Sequence, residues 1–204
     1  MSLVDDLIKK GYLKTPRIIE AFKEIKRVDF VLEELKNEAE IDAPLPIGWG
    51  QTISQPLTVA FMLELLQPGP GDKILDIGSG SGWQTALLAH IVGEKGKVYA
   101  VERIPALIEF SKRNIKKYGF GEKGIVEFIC KDGSKGLKEA APFDKIIAGA
   151  AGEKIPQAWK EQLKVGGRLV APVLSSIFLL IKRSEKEFEQ KEFPGFAFVP
   201  LIED

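Results

Sequence analysis

The chain has 204 residues, enough to bury a substantial core in one catalytic domain and short for two. Its 29 basic residues balance 29 acidic ones, so no global positive field would draw it to nucleic acid or to an anionic membrane. A lone cysteine, Cys130, excludes an intramolecular disulfide framework, and with a lone histidine it leaves too few soft ligands for a structural zinc, so no metal is expected.

The first residues lack a basic segment followed by an apolar run, and no window approaches the roughly 18 unbroken apolar residues of a membrane span. The expectation is a cytoplasmic monomer with neither a nucleic-acid nor a membrane partner. In chain order, Pro16 suits a first helical position, and Ile18, Ile19, Phe22 and Ile25 then share a helical face. Residues 39 to 55 carry Pro44, Pro46, Gly48 and Gly50 without clear periodicity, which reads as an irregular loop. Pro56 opens a second helix, with Val59, Met62, Leu63 and Leu66 on its apolar side.

From residue 73 short apolar runs alternate with helical stretches. Ile74–Ile77, Val98–Val101, Val126–Ile129 and Ile146–Ala148 are predicted strands, with helices near 82 to 92, 105 to 118 and 156 to 164. This alternation implies a parallel sheet covered by helices. Beyond Gly166-Gly167, Arg168–Val173, Ile177–Ile181 and the run Phe196–Leu201 read as strands forming an antiparallel edge. The expected architecture is one α/β, Rossmann-like, doubly wound and mostly parallel seven-stranded sheet. Within that single domain, residues 1–55 form N-terminal helices and a loop, 56–174 a cofactor-binding core, and 175–204 C-terminal strands.

Asp76-Ile77-Gly78-Ser79-Gly80-Ser81-Gly82 follows a predicted strand and opens a predicted helix, the place where an α/β sheet binds a nucleotide. A dinucleotide fingerprint needs glycine at position 83, where this chain has Trp83. Taken alone, the glycine motif favours a ligand turn over a plain tight turn, whereas Glu102 is equally a solvated strand-end acid and Asp132 equally a turn residue before Gly133. Taken together in order, Asp76-x-Gly78-x-Gly80-x-Gly82, Glu102, Asp132-Gly133 and Phe143–Ile147 resemble the motifs of Rossmann-like S-adenosylmethionine-dependent methyltransferases. That resemblance implies Glu102 on the ribose hydroxyls and Asp132 with neighbouring backbone at the adenine.

The acceptor decides what else such a site needs. Amines and hydroxyls usually require deprotonation, yet His90 sits within the apolar run Leu87–Val92 and reads as structural rather than catalytic. Ala148-Gly149-Ala150-Ala151-Gly152 follows the fourth strand with no acid, amide or aromatic residue, which argues against an exocyclic amine. A carboxylate, with a pKa near 4, is already a nucleophile at neutral pH, so proximity and electrostatics suffice. Ser54, with Thr52 second, offers a hydroxyl to orient it; alternatively Ser54 or Gln55 caps the helix opening at Pro56.

Pro44-Leu45-Pro46-Ile47-Gly48-Trp49-Gly50-Gln51-Thr52-Ile53-Ser54-Gln55-Pro56 resembles the hallmark of protein-L-isoaspartate O-methyltransferases. Val101–Ile104, Asp132-Gly133, Ala141–Asp144, Ile155-Pro156, Gln162–Leu169 and Phe198–Leu201 match that family in order, over roughly residues 15 to 202. The resemblance implies methylation of the α-carboxylate of L-isoaspartyl residues in damaged proteins, followed by succinimide formation and partial return to aspartate. It also implies a cofactor site drawn from Gln51, Thr52, Ile53, Ser54, Asp76, Gly78, Ser79, Gly80, Gly82, Glu102, Arg103, Asp132 and Gly133. Ile47, Gly48, Val199 and Leu201 are implied peptide contacts, the last two equally readable as strand core. The chain departs from many relatives at Leu57, where they carry His or Tyr, and at Gly149, where they carry Thr. Trp49 reads either as a loop anchor or as a shield for the cofactor. The generic motifs alone would also suit a methyltransferase of a small molecule or RNA base, or a binding module without transfer activity.

Overall fold

In the computed structural model, which describes residues 2–203, helices α1 (Leu3–Lys9) and α2 (Pro16–Glu24) lead into two short 3-10 turns, Arg27–Phe30 and Glu33–Glu38. A hairpin of β1 (Leu45–Gly48) and β2 (Gln51–Ile53) follows, then helix α3 (Pro56–Leu66). Pro16 and Pro56 both sit at the first helical position, where a missing N–H costs nothing. The predicted helical face of α2 is buried at Ile18 and Phe22 and continues through Ile25, with Ile19 half-buried at its margin.

The expected alternation then appears as β3 (Lys73–Ile77), α4 (Trp83–Val92), β4 (Lys97–Glu102), α5 (Pro105–Lys116), β5 (Val126–Cys130) and β6 (Phe143–Ala148). Helix α6 (Gln157–Gln162) leads into β7 (Leu163–Val173), β8 (Ser176–Lys182) and β9 (Phe188–Pro194). The seven-stranded sheet has the order β5-β4-β3-β6-β7-β8-β9; its first five strands run parallel, and β8 and β9 each pair antiparallel with the strand before. Strand order reverses at β3, which is flanked by β4 and β6. Connections leaving its carboxyl end diverge to either side and open a crevice there.

Strand residues alternate between two buried clusters, as a period of two demands. Ile74, Val98, Ala100, Ile147 and Val170 join the residues of α1 to α5 on one face, whereas Leu75, Ile77, Val101, Ile146 and Leu169 pack with Trp159 and Leu137 on the other. Strands covered on both faces read as continuous apolar runs, which is why they were visible in the sequence. No helix among the described residues is long and apolar enough to cross a membrane.

Two expectations need correction. Residues 45 to 53 are a hairpin rather than irregular: Leu45 and Ile47 are buried while Pro46 and Gly48 are exposed, and Gly48, Trp49 and Gly50 all take positive φ (+88°, +52°, +69°) to close the tip. Its prolines and glycines masked the alternation. The last sheet strand is β9, whose charged sequence reflects an exposed edge, and not residues 196 to 201. After Pro194 and Gly195 (φ +98°) the chain leaves the sheet; its arm is anchored by the Ser175 carbonyl, which accepts from the Gly195 and Phe196 amides, and by a bridge between Pro200 and Ala151.

Candidate active site

The crevice at the end of β3 is shaped by the glycine turn. Gly78, Gly80 and Gly82 have φ of +74°, +52° and +86°, and the amides of Gly78 and Ser79 donate to the Val101 carbonyl at 2.8 and 3.2 Å, stitching the turn to β4. Gly82 serves packing rather than ligand: a Cβ there would stand 2.4 Å from Ser111 Oγ on α5. Asp76, expected at the cofactor, is fully buried behind the turn and does not border the crevice. Its carboxylate accepts from Thr85 Oγ1 at 2.6 Å and Gln84 Nε2 at 2.7 Å, tying β3 to the start of α4. Burial pushes its pKa up to about 6 against those two hydrogen bonds, with the nearby Glu102 charge adding to the rise.

Glu102 ends β4 and does border the crevice. One oxygen accepts from the Gly80 amide at 3.1 Å and the other from the Ile104 amide at 3.0 Å, so the carboxylate is fixed by backbone on both sides. Each oxygen keeps a lone pair for a further donor. Gln51, Thr52, Ile53, Ser54, Gly78, Ser79, Gly80, Arg103 and Gly133 line the same cleft, joined by Trp83, Gln84 and Lys131. Asp132 stands apart from it, because its carboxylate accepts from the Ser134 amide and hydroxyl, both at 2.8 Å. Gly133 remains in the wall; a Cβ there would come within 2.5 Å of Ile77.

The residues fit a nucleoside bearing a charged sulfur. Of the buried polar side-chain atoms without a hydrogen bond among the described residues, the hydroxyl of Ser79 and the indole nitrogen of Trp83 both belong to cleft-lining side chains. Buried polar groups normally find partners, so these two mark unmet capacity in the cleft wall. Neither could have been singled out from the sequence, where Trp83 was informative only as a residue that is not glycine.

A second cleft abuts the first, sharing four lining residues with it. Tyr12, Phe61, Phe193, Phe196 and Phe198 give it an aromatic lining, with Phe61 against Phe193 and Phe196 at ring-centroid distances of 5.3 Å each. Thr52, Ser54, Gly149 and Val199 line both clefts and form their common wall. Val199 and Leu201 are held there by the arm: the Ala151 amide donates to the Val199 carbonyl and the Leu201 amide to the Ala151 carbonyl, each at 2.8 Å. Leu201 lines the first cleft only. Ile47 is fully buried in the core and Gly48 exposed at the hairpin tip, and neither lines a cleft. Trp49, 57% exposed, also lines neither.

The capping alternative for Ser54 is not what folds here. Gln55 is the N-cap of α3 and makes no side-chain capping bond. Asp42 does that work instead, accepting from the Leu57 amide at 2.9 Å where a negative charge suits the helix N-terminus. Sequence reasoning also passed over Arg27. It is 3% exposed, and burial lowers its pKa to about 10 although Asp42 and Glu40 oppose the shift. A basic residue whose acidic helpers lie thirteen and fifteen positions away leaves no periodic signal.

A model of the family described as Protein-L-isoaspartate(D-aspartate) O-methyltransferase (PCMT) matches residues 1–204. A protein-L-isoaspartate O-methyltransferase of Methanopyrus kandleri is 43% identical, covering 98% of this chain and 89% of its own; one of Ignicoccus hospitalis is 44% identical, covering 99% and 96%. Among solved structures, a Plasmodium falciparum beta-aspartate methyltransferase in complex with S-adenosyl-L-homocysteine superposes with a TM-score of 0.87 over 99% of this chain and 97% of that one, at 24% identity. A second, a protein-L-isoaspartate O-methyltransferase, gives 0.86 at 30% identity over 97% of this chain and 64% of that one.

Proposed function

Since the chain belongs to the protein-L-isoaspartate(D-aspartate) O-methyltransferase family, we propose that its first cleft holds S-adenosylmethionine, its second holds the damaged peptide, and Ser54 orients the acceptor between them. The reaction is methyl transfer to the α-carboxylate of an L-isoaspartyl residue, which activates the damaged site for succinimide formation. When bound, S-adenosylmethionine supplies an electrophilic methyl group on a sulfonium and leaves as S-adenosylhomocysteine.

The chain's own residues supply binding and alignment. Glu102, pinned by two amides, accepts from ribose hydroxyls; Ser79 and Trp83 give their unmet hydrogen-bonding capacity to the nucleoside; Gly78, Gly80 and Gly133 let backbone approach it. Arg103 and Lys131 line the same end of the cleft. Gln51 and Ile53 close it from the hairpin side. No base is required, because the acceptor is ionised at neutral pH. Ser54 and Thr52 stand at the only wall the two clefts share with the hairpin, so a hydroxyl there can donate to one carboxylate oxygen and leave the other aimed at the donor. That shared wall is the observation that carries the reading. Val199 flanks the same opening and contacts the peptide backbone, and the aromatic lining receives its side chains. The enzyme acts as a cytoplasmic monomer in this reading, with a flexible protein segment as its only macromolecular partner.

Transfer of labelled methyl to an isoaspartyl peptide, with its normal aspartyl twin as control, tests the assignment; label on the isoaspartyl peptide alone, released as methanol by base, is expected. Equal label on both peptides would remove the selectivity. Ser54→Ala should lower kcat about 100-fold while leaving cofactor affinity within about twofold. Wild-type turnover in that variant would take Ser54 out of the chemistry.

A further inference from the structure

Ser54 lies on a stretch of chain that has no neighbour in the sheet to fix it. The hairpin pairs only with itself, and residues 39 to 44 have no regular structure beyond a turn. Beyond the buried apolar side chains of Leu45, Ile47 and Ile53, its backbone on both sides of the hairpin is gathered by one buried side chain. Arg27 Nη1 donates to the carbonyls of Ala39 and Ile41 at 3.0 and 3.1 Å, and Nη2 to those of Ala43 and Ser54 at 2.8 and 3.3 Å. Four carbonyls, from both arms that flank the hairpin, therefore converge on a single planar cation. Its guanidinium carbon sits 5.5 Å from the centroid of the Trp83 ring, which packs edge-on against Phe22 and lines the first cleft.

We propose that Arg27 is a positioning residue for methyl transfer: it fixes the Ser54 peptide relative to the cofactor cleft by gripping that peptide's carbonyl while stacking on a tryptophan of the cleft wall. The inference rests on the reading of Ser54 given above. Its physical basis is the fork geometry. A guanidinium presents five N–H donors in a rigid plane and stacks on aromatic faces, whereas an ammonium at the same place is a point charge that cannot span four carbonyls. Asp42 completes the clamp from the other side. Its carboxylate takes the Leu57 amide, its carbonyl accepts from Gln55 Nε2 at 3.1 Å, and its charge favours the Arg27 cation. Ser54 is thus bracketed: its own carbonyl is held by Arg27, and Gln55 and Leu57 beyond it by Asp42.

The test is a cycle of four proteins, wild type, Arg27→Lys, Ser54→Ala and the double variant, assayed with S-adenosylmethionine and an isoaspartyl peptide. Arg27→Lys is expected to lower kcat at least about tenfold, as sub-ångström misplacement of an orienting group does, with KM for the cofactor within about twofold. In the Ser54→Ala background the same change should cost less than about twofold, because the group that Arg27 places is gone. Wild-type kcat in a folded Arg27→Lys protein, or an equal loss in both backgrounds, would overturn the proposal. A failure of the Ser54 reading shows itself separately, as full turnover in Ser54→Ala alone. If Arg27→Lys does not fold, Arg27→Gln, which keeps two donors without the charge, carries the same cycle and the same expectations.

Discussion

The two clefts that meet at Ser54 are built in opposite ways. The first is made of strand ends: β3, β4 and β6 deliver Gly78, Glu102 and Gly149 from a parallel sheet whose register is fixed by hydrogen bonds along its whole length. The second is made of segments outside the sheet's parallel part, a hairpin, one face of α3 and an arm tied down at Ser175 and Ala151. A nucleoside of fixed shape needs the first kind of wall, since its groups must be met at fixed places. A damaged segment from any protein needs the second, where aromatic surface accepts many side chains. The enzyme has joined a rigid recognition surface to a permissive one.

This comparison can be broken at three places. The largest effect is expected at Asp76, inside the rigid half. Its pKa is raised from 3.8 to about 6 in the folded protein, so the folded state holds the proton more tightly than the unfolded chain. Stability attributable to this group is therefore greatest below pH 4, falls as pH rises through the window from about 4 to about 6, and is lower by about 3 kcal/mol above it. Asp76→Asn should abolish that slope, measured as urea-unfolding free energy across the window. An unchanged slope would mean that Asp76 is not the buried acid the turn is built on. Next comes Glu102→Ala, expected to weaken cofactor binding by about 2 kcal/mol in calorimetry while peptide KM stays near its wild-type value. Equal losses for both ligands would show that the two walls are not independent. The smallest is Phe61→Ala, which should raise peptide KM about fivefold, near 1 kcal/mol, and leave cofactor affinity unchanged. A shift in cofactor affinity instead would place Phe61 in the wrong half.

The same contrast explains what could be read from the sequence. The strands and helices from 73 to 148 were legible because two-sided burial writes uninterrupted apolar runs, and the glycine turn because glycine takes positive φ without strain and does so here at three positions in five residues. Glu102 was legible by its place after the second strand. Asp76 and Asp132 were found by the same logic, yet their carboxylates turn inward to Thr85, Gln84 and Ser134, a choice set by side-chain partners that spacing does not show. On the acceptor side the sequence announced a motif through resemblance and little through physics. The hairpin was hidden by its prolines and glycines, and β9 by the polar residues an exposed edge requires. Arg27 and Asp42 act across 27 and 15 residues, beyond any local pattern.

The placement of the three tryptophans gives the molecule built-in optical reporters. Trp49 stands on the hairpin tip, open to a collisional quencher such as iodide; Trp83 is sealed into the wall of the first cleft; Trp159 lies in the core beneath the sheet, its indole N–H donating to the Gly133 carbonyl at 2.9 Å. Emission from one chain thus samples solvent, ligand cleft and core at once. Replacing Trp49 with phenylalanine, at a position that lines neither cleft, would leave a fluorophore in the wall of the proposed nucleoside cleft and another behind Gly133, so that occupancy and unfolding are followed in the same cuvette without a label.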